Sequence, residues 1–161
     1  MADPLVFRAG ARSSAGLTVT IRIEGLRESL RAMNRLGADA NDIIREAAGD
    51  IAEDEAKRVR AAGHAEGRQA AIVAGTVKVR RDRVPVVQAG GGARIGRRRK
   101  QAGKLLFGSE FGATYLRQYK PHLGREGYWF FPTIEDDQPL IERQWLQAAD
   151  DVLAIFGAGR G

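Results

Sequence analysis

A run of four aromatic residues closed by a proline constrains this chain more than any other feature. The stretch GYWFFP, residues 127–132, holds four of the eleven aromatic residues in a sequence of 161. In a β-strand, Tyr128 and Phe130 would point to one face while Trp129 and Phe131 point to the other, so both faces would have to be covered. The pattern therefore predicts a buried strand that ends at Pro132 and lies between two layers.

A C-terminal helix is predicted directly after this strand. It begins at Asp136 or Asp137, where a carboxylate suits a helix N-terminus, and Pro139 is tolerated in its first turn. Apolar residues then recur at helical spacing, at Ile141, Trp145, Ala148, Ala149, Val152 and Phe156. This stripe can cover one face of the aromatic strand. The other face is covered either by a second helix of the same chain or by a neighbouring subunit.

The N-terminal half predicts one strand followed by two helices. Alternation of apolar and polar residues in LTVTIRI indicates a half-buried strand over residues 17–23. Leu26, Leu30, Met33 and Leu36 then mark an amphipathic helix that Gly37 ends. A longer helix with a stripe of mostly small apolar residues runs from Asp39 or Asn41 to about residue 62.

The remaining segments complete an α+β domain. Two β segments are predicted in TVKVRRDRVPVVQAGG, residues 76–91, and a further strand in KLLFGSEFG, residues 104–112. AEGRQAAIVAG, residues 65–75, suits either a short helix or a loop. We therefore expect a mostly antiparallel sheet of about four strands, packed by the long N-terminal-half helix and the C-terminal helix. This single domain spans 17–157, between a flexible arm at 1–16 and a tail at 158–161.

Positive charge is concentrated in the middle of the chain, which has a net charge of +6. Residues 78–104 carry ten of the 26 basic residues and one acid, Asp82. Within this segment we expect a mobile, solvated Gly/Arg-rich loop at about 90–104. Its cations could contact phosphates without reading sequence, or acids of a neighbouring subunit. These candidate contact residues are Arg94, Arg97, Arg98, Arg99 and Lys100.

The sequence predicts neither an enzyme nor a cofactor or metal site. It has no cysteine, which excludes disulfides and thiolate chemistry, and its histidines, His64 and His122, stand far apart. GGARIGRR, residues 91–98, has the glycine frame of a phosphate-binding loop but lacks the Lys-Ser/Thr ending. The acids Glu135, Asp136, Asp137, Asp150 and Asp151 suit the N-terminus and solvent face of the last helix. No apolar stretch reaches the length of a membrane span, so no membrane partner is expected.

Taken in order, VTIRIEGLRESLRAMNRLG, TVKVRRDRVPVVQAGG, KLLFGSEFG and PHLGREGYWFFPTI resemble a family of bacteriophage proteins. The chain is similar, from about residue 17 to 157, to the tail-completion or neck proteins of long-tailed phages of the actinobacterial siphophage type. Glu110, Phe111 and Gly112 resemble the family's EFG element, and residues 127–132 its aromatic ending at Pro132. EGRQAAIVAG stands where members often carry an Arg-Thr-Gly-x-Leu-like element.

This resemblance implies a virion structural protein, made in the host cytoplasm and without enzymatic activity. Six copies would form a ring at the junction of capsid portal and tail tube, around the channel that double-stranded DNA traverses. Its partners would be further copies of the chain and other neck, portal-adaptor or tail-tube proteins. Two other functions stay open: a tail terminator ring that caps the tube, and a DNA-binding protein that reads no sequence. Leu5, Val6 and Phe7 could anchor the N-terminal arm on a neighbour.

Overall fold

The computed structural model describes residues 16–20, 23–124 and 126–158. The expected N-terminal arm and C-terminal tail lie outside the described residues, except for Gly16 and Ala158. The candidate anchor at residues 5–7 also lies outside them.

The described chain has one strand, three helices, four short strands and two helices, in that order. The strands are β1 Gly16–Thr20, β2 Lys78–Val79, β3 Val86–Gly90, β4 Arg94–Ile95 and β5 Lys100–Gln101. The helices are α1 Leu26–Leu36, α2 Ala38–Glu66, α3 Arg68–Ala74, α4 Ala102–Phe111 and α5 Phe130–Ala158. The segment that sequence reasoning left undecided is therefore the short helix α3.

Two long helices, α2 and α5, form the centre of the fold. Buried residues of α2 recur every three or four positions and are mostly small, from Ala40 through Ala48 and Ala56 to Gly63. On α5, Ile141, Trp145, Ala149 and Val152 are buried as their spacing predicts. Small side chains on α2 let the bulky residues of α5 pack closely. The stripe predicted for the C-terminal helix is thus confirmed, except that Ala148 and Phe156 are only partly buried.

The strands form two separate antiparallel sheets. The larger has the order β1-β3-β2, with Leu17 opposite Ala89 and Lys78 opposite Gln88. The smaller is a hairpin in which Arg94 pairs with Gln101. The α+β class with antiparallel strands is confirmed. A single sheet of about four strands is not found among the described residues, where the central sheet has three strands.

Two predicted strands are helical instead. KLLFGSEFG lies in α4, where Leu105, Leu106 and Ser109 are buried while Lys104 and Phe107 are exposed. The aromatic run crosses the beginning of α5, which starts at Phe130 and not at Asp136 or Asp137. Short runs of mostly apolar residues do not distinguish a strand from a buried helix, because they are too short to show a clear period. Both predictions were wrong for this reason.

Candidate functional site

The EFG element and the aromatic run meet at one buried carboxylate. Glu110, in the last turn of α4, is fully buried. Its Oε2 accepts the backbone N–H groups of Trp129 (3.1 Å) and Phe130 (2.7 Å), and its Oε1 accepts that of Phe131 (2.9 Å). These N–H groups lie at the first turn of α5, which has no partner for them within the helix. Glu110 therefore caps α5 from another element, and we call this arrangement the Glu110 cap.

Opposing effects act on the Glu110 carboxyl. Burial raises its pKa above the ordinary value, and the nearby Glu66 carboxylate adds to that rise. The three backbone N–H donors lower the pKa, but they offset burial only in part. The positive end of the α5 dipole also favours a negative group at this position. The site thus holds an acid whose burial is energetically unfavourable. Its carboxylate oxygens accept their hydrogen bonds from backbone N–H groups.

Phe111 and Gly112 complete the joint around the Glu110 cap, that is, the contact between the end of α4 and the start of α5. The Phe111 ring stacks on Phe131 at 5.8 Å and on Phe107 at 6.2 Å between ring centroids. Gly112 adopts φ +74°, and a Cβ there would lie 2.2 Å from the carbonyl oxygen of Pro121. Only glycine suits both this conformation and this close approach. The residues that carry the family resemblance therefore act together in one structural joint.

The aromatic run is buried inside its own chain. Trp129, Phe130 and Phe131 are buried, and Phe130 makes edge-to-face contacts with both neighbours. The indole of Trp129 lies against Gly63 of α2, where an added Cβ would come within 2.9 Å of the ring. Its Nε1 donates to Ser109 Oγ of α4 at 3.2 Å. The sequence analysis left two possibilities for what covers the aromatic run, a helix of the same chain or a neighbouring subunit. In the structure, helices of the same chain cover it.

The predicted Gly/Arg loop is a folded hairpin. Residues 94–101, named here the basic hairpin, form β4, a four-residue turn and β5. The Arg94 guanidinium donates to the carbonyl of Arg99 at 3.2 Å, and Arg99 itself has φ +48°. Ile95 is half-buried and packs against the core, which holds the hairpin to the domain. The segment is solvated, as expected, but the pairing of β4 with β5 and the packing of Ile95 give it a regular structure that the sequence analysis did not predict.

The basic hairpin presents its charge to solvent. Arg94, Arg97, Arg98, Arg99 and Lys100 are all exposed. Within the described part of the chain none of them pairs with an acid. The hairpin continues directly into α4, whose far end carries Glu110. The structure therefore fixes a cluster of five cations to the same helix that caps α5.

A second surface element was missed by sequence reasoning. Residues 113–123, named here the 113–123 loop, follow α4. The loop is closed on itself by a hydrogen bond from Ala113 N to Lys120 O (2.9 Å) and returns to α4 through one from Leu123 N to Phe111 O (3.0 Å). The Tyr128 hydroxyl donates to Pro121 O at 2.7 Å, and Lys120 forms an ion pair with Glu66 of α2. The base of the loop is thus held by α4, by α2 and by Tyr128 in the segment before α5.

The tip of this loop is apolar and exposed. Tyr115 is 92% exposed and Leu116 is 55% exposed. Around them the loop encloses an open depression of about 700 Å³, lined among others by Thr114, Arg117 and His122. His122 is an exposed loop residue, as predicted, and its Nδ1 lies 3.1 Å from Phe111 O. A signal was present in the sequence: Tyr115 and Leu116 are two large apolar residues in a short segment between Gly112 and Pro121, which favour a surface loop.

A second buried acid joins α2 to α5. Glu55 is fully buried, and its Oε2 accepts from Arg58 Nη2 at 2.7 Å, while Arg58 Nε also donates to Asp137 of α5 at 2.7 Å. Glu55 Oε1 has no hydrogen-bond partner among the described residues. Burial is the main reason why the pKa of Glu55 rises to about 7, and Asp137 raises it further while Arg58 opposes. The cluster therefore favours the folded chain more when Glu55 carries its proton than when it is ionised.

We expect stability to fall with pH through ionisation of Glu55. The folded carboxyl, with a pKa of about 7 against the ordinary 4.5, binds its proton more tightly than the unfolded one. Its contribution is therefore complete below pH 4.5 and is lost as the pH rises to about 7. Between pH 5 and pH 8 this amounts to about 2–3 kcal/mol. Urea unfolding at both pH values should show a smaller loss in Glu55→Gln than in the wild type; the remainder comes from Glu110, whose pKa is also raised by burial.

The neighbouring acid Asp54 provides the control for this prediction. It is exposed and pairs with Lys57 on the same helix, so Asp54→Asn should keep the pH dependence of the wild type. If Glu55→Gln and Asp54→Asn follow the same pH profile, Glu55 is not the group responsible.

The other predicted residues lie apart from these sites. Glu135 and Asp136 are exposed on α5, as are Asp150 and Asp151, whereas Asp137 is half-buried beside Arg58. The described residues contain no cluster of three His, Asp or Glu side chains suited to a metal ion. None of the described helices is both long and apolar enough to span a membrane. Comparisons with models of protein families, with curated proteins and with solved structures find no match.

Proposed function

We propose that this chain is a structural subunit of the neck of a long-tailed phage, the connector between capsid portal and tail tube. Several copies, six by the resemblance, would form a ring around the DNA channel and contact other neck, portal-adaptor or tail-tube proteins. It would be made in the host cytoplasm and reside in the virion. The proposal rests on the family resemblance of the EFG and aromatic elements, which extends over nearly the whole chain.

One structural observation supports this proposal more than any other. The basic hairpin is a folded element that carries five exposed cations without an acidic partner among the described residues. Such a cluster favours a polyanion, and phosphate contacts of this kind position a duplex without reading its sequence. A subunit lining a channel that carries DNA needs this type of contact.

The buried acids support a structural function over an enzymatic one. Glu110 directs both carboxylate oxygens at backbone N–H groups, and Glu55 is enclosed between α2 and α5. Neither faces a cleft in which a substrate could meet it, and a catalytic acid has to reach its substrate. We therefore assign both groups to stability.

The tail terminator ring is a close variant of the proposed function, since it too surrounds DNA at the top of the tail. A DNA-binding protein that acts without a ring is the second candidate. The basic hairpin favours it equally, because cation clusters bind phosphate with or without assembly. The two classes differ in their oligomeric state, because the neck and terminator functions require a ring and the second candidate does not.

We expect the basic hairpin to dominate binding to double-stranded DNA. If Arg97, Arg98 and Arg99 each neutralise one phosphate, their replacement by alanine lowers the slope of log affinity against log salt by about 2.7. For the wild type, those three contacts alone weaken binding about 40-fold between 50 and 200 mM salt. Fluorescence anisotropy with a labelled duplex of random sequence measures both quantities.

A matched variant separates the hairpin from overall charge. Arg27, Arg31 and Arg143 are exposed on α1 and α5, so their triple replacement by alanine removes the same charge elsewhere. This control should keep most of the affinity and of the salt slope. Equal losses in the two triple variants would show that net charge, and not the hairpin, attracts DNA.

A further inference from the structure

Exposed apolar side chains of this chain are concentrated in one place. Of the seven large apolar residues that are markedly exposed in the described part of the chain, four lie between Phe107 and Leu123. Two of them, Tyr115 and Leu116, form the tip of the 113–123 loop. An exposed aromatic on a rigid support is typical of an interface anchor, because little entropy is lost when it binds.

The loop is rigid at its base and uniformly basic at its rim. Backbone hydrogen bonds and the ion pair of Lys120 with Glu66 hold it in place. The Lys120 ammonium also lies 5.1 Å from the centroid of the Tyr128 ring. Residues 111–123 contain Arg117, Lys120 and His122 but no acid. A partner that fits this surface needs an apolar contact surrounded by negative charge.

The opposite end of α2 carries such a surface. Ile43 is 42% exposed there, although large aliphatic residues on this helix otherwise face the core or are partly covered. The segment 39–50 contains four acids and a single base, Arg45, which pairs with Asp42. We call this surface the Ile43 patch. The acids are Asp39, Asp42, Glu46 and Asp50, and all four are exposed.

The 113–123 loop cannot reach the Ile43 patch of its own molecule. Ile43 and Glu66 are separated by about 34 Å along α2, at 1.5 Å per residue. Lys120 contacts Glu66, and the hydrogen bond from Ala113 N to Lys120 O closes the loop, so that Tyr115 stands only two residues, about 7 Å of chain, beyond this closure. A contact between the two surfaces therefore has to join two molecules.

We propose that the 113–123 loop of one copy docks on the Ile43 patch of the next copy. Tyr115 and Leu116 pack on Ile43, while Arg117 and His122 face the acids around it. Because the two surfaces differ, the contact is head-to-tail and generates a ring or a filament, not a twofold dimer. This inference rests on the proposed function, because both require copies of the chain to assemble. It adds which two surfaces make the contact.

A cross-linking experiment tests this contact, since the natural chain has no cysteine. A variant with Ile43→Cys and Tyr115→Cys carries both halves of the contact on one molecule. Its two cysteines are too far apart to bridge internally, because a disulfide needs Cα atoms within about 7 Å. Mild oxidation should therefore give a ladder of linked copies on a non-reducing gel, whereas each single variant gives at most dimers.

Ile155 provides the matched control because it is 65% exposed, more than Ile43, and lies on α5. The Tyr115→Cys/Ile155→Cys variant should link copies at least about 10-fold more slowly, since only a docked pair has a high effective concentration. Charge reversal gives a second readout: Arg117→Glu should abolish assembly, and adding Glu46→Arg should restore it.

The outcomes separate this inference from the proposed function. Rings that form while Ile43→Cys/Tyr115→Cys links no faster than the control would overturn the assigned surfaces and leave the neck function standing. Faster linking in Tyr115→Cys alone would indicate a twofold contact and also overturn the inference. Absence of any assembly at high concentration would contradict both.

Discussion

Replacement of Glu110 by alanine is expected to destabilise the domain by about 3–5 kcal/mol. The change removes the acceptor of three backbone N–H groups at the start of α5, and all three lie in a buried region. Each buried donor left without a partner costs about 1–3 kcal/mol, and part of this is recovered by relaxation. Urea unfolding followed by circular dichroism measures the loss.

Two further variants show that the effect comes from the cap. Glu110→Gln keeps one oxygen acceptor, so it should lose less than alanine does. Glu135→Ala removes an exposed acid near the same end of α5 and should change stability by at most about 0.5 kcal/mol. An equal loss in Glu110→Ala and Glu135→Ala would show that α5 does not depend on this cap.

Gly127→Ala should be as damaging as loss of Glu110 itself. A Cβ at residue 127 would lie 1.6 Å from Glu110 Oε1 and 3.1 Å from Pro132 Cδ. The carboxylate would have to move and release its N–H donors, so we expect a loss of about 3 kcal/mol or more. Gly49→Ala is the control, because open space surrounds this position inside α2 and the change should add up to about 1 kcal/mol of stability.

The double variant tests whether both residues act through the same contact. Once Glu110 is alanine, the oxygen that collides with the new Cβ is gone, so Glu110→Ala/Gly127→Ala should unfold close to Glu110→Ala alone. The coupling between the two changes should then reach about 2 kcal/mol or more. Losses that simply add would mean that Gly127 matters for another reason, such as its own backbone conformation.

The helical scaffold could be predicted from the sequence because its signal is local. The stripe from Ile141 to Val152 follows the period of a helix, and so does the small-residue stripe of α2. The order and antiparallel pairing of the β1 and β3 region also agree with alternation and β-branched residues. These features depend on spacing within one segment, which is what periodicity measures.

The Glu110 cap could not be predicted in the same way. Glu110 and the N–H groups that it accepts are separated by 19 to 21 positions, and no spacing rule relates them. The aromatic run was assigned to a strand from its four consecutive aromatic residues, and no Ser, Thr, Asp or Asn within GYWFFP marks the start of a helix. Its cap comes from another helix, so the local signal for the start of α5 was missing.

Glu55 was missed although a local signal existed. It stands beside Ala52, Ala56 and Val59 in the buried stripe of α2, where an acid is out of place, and Arg58 follows at the spacing of a helical ion pair. The basic hairpin was located correctly in the sequence but described as a loop, since two-residue strands give almost no pattern. In both cases the sequence identifies the residues but does not show how they pack or pair.

We propose that this chain is a subunit of an assembly around DNA, and its mass in solution tests this proposal most directly. Light scattering at low and high salt, with negative-stain images of the same sample, should give closed rings of one fixed stoichiometry that contain no nucleic acid. The rings should persist when Arg97, Arg98 and Arg99 are replaced by alanine, because DNA contact and assembly use different surfaces. A mass of one copy at every concentration and in both salts would contradict the account.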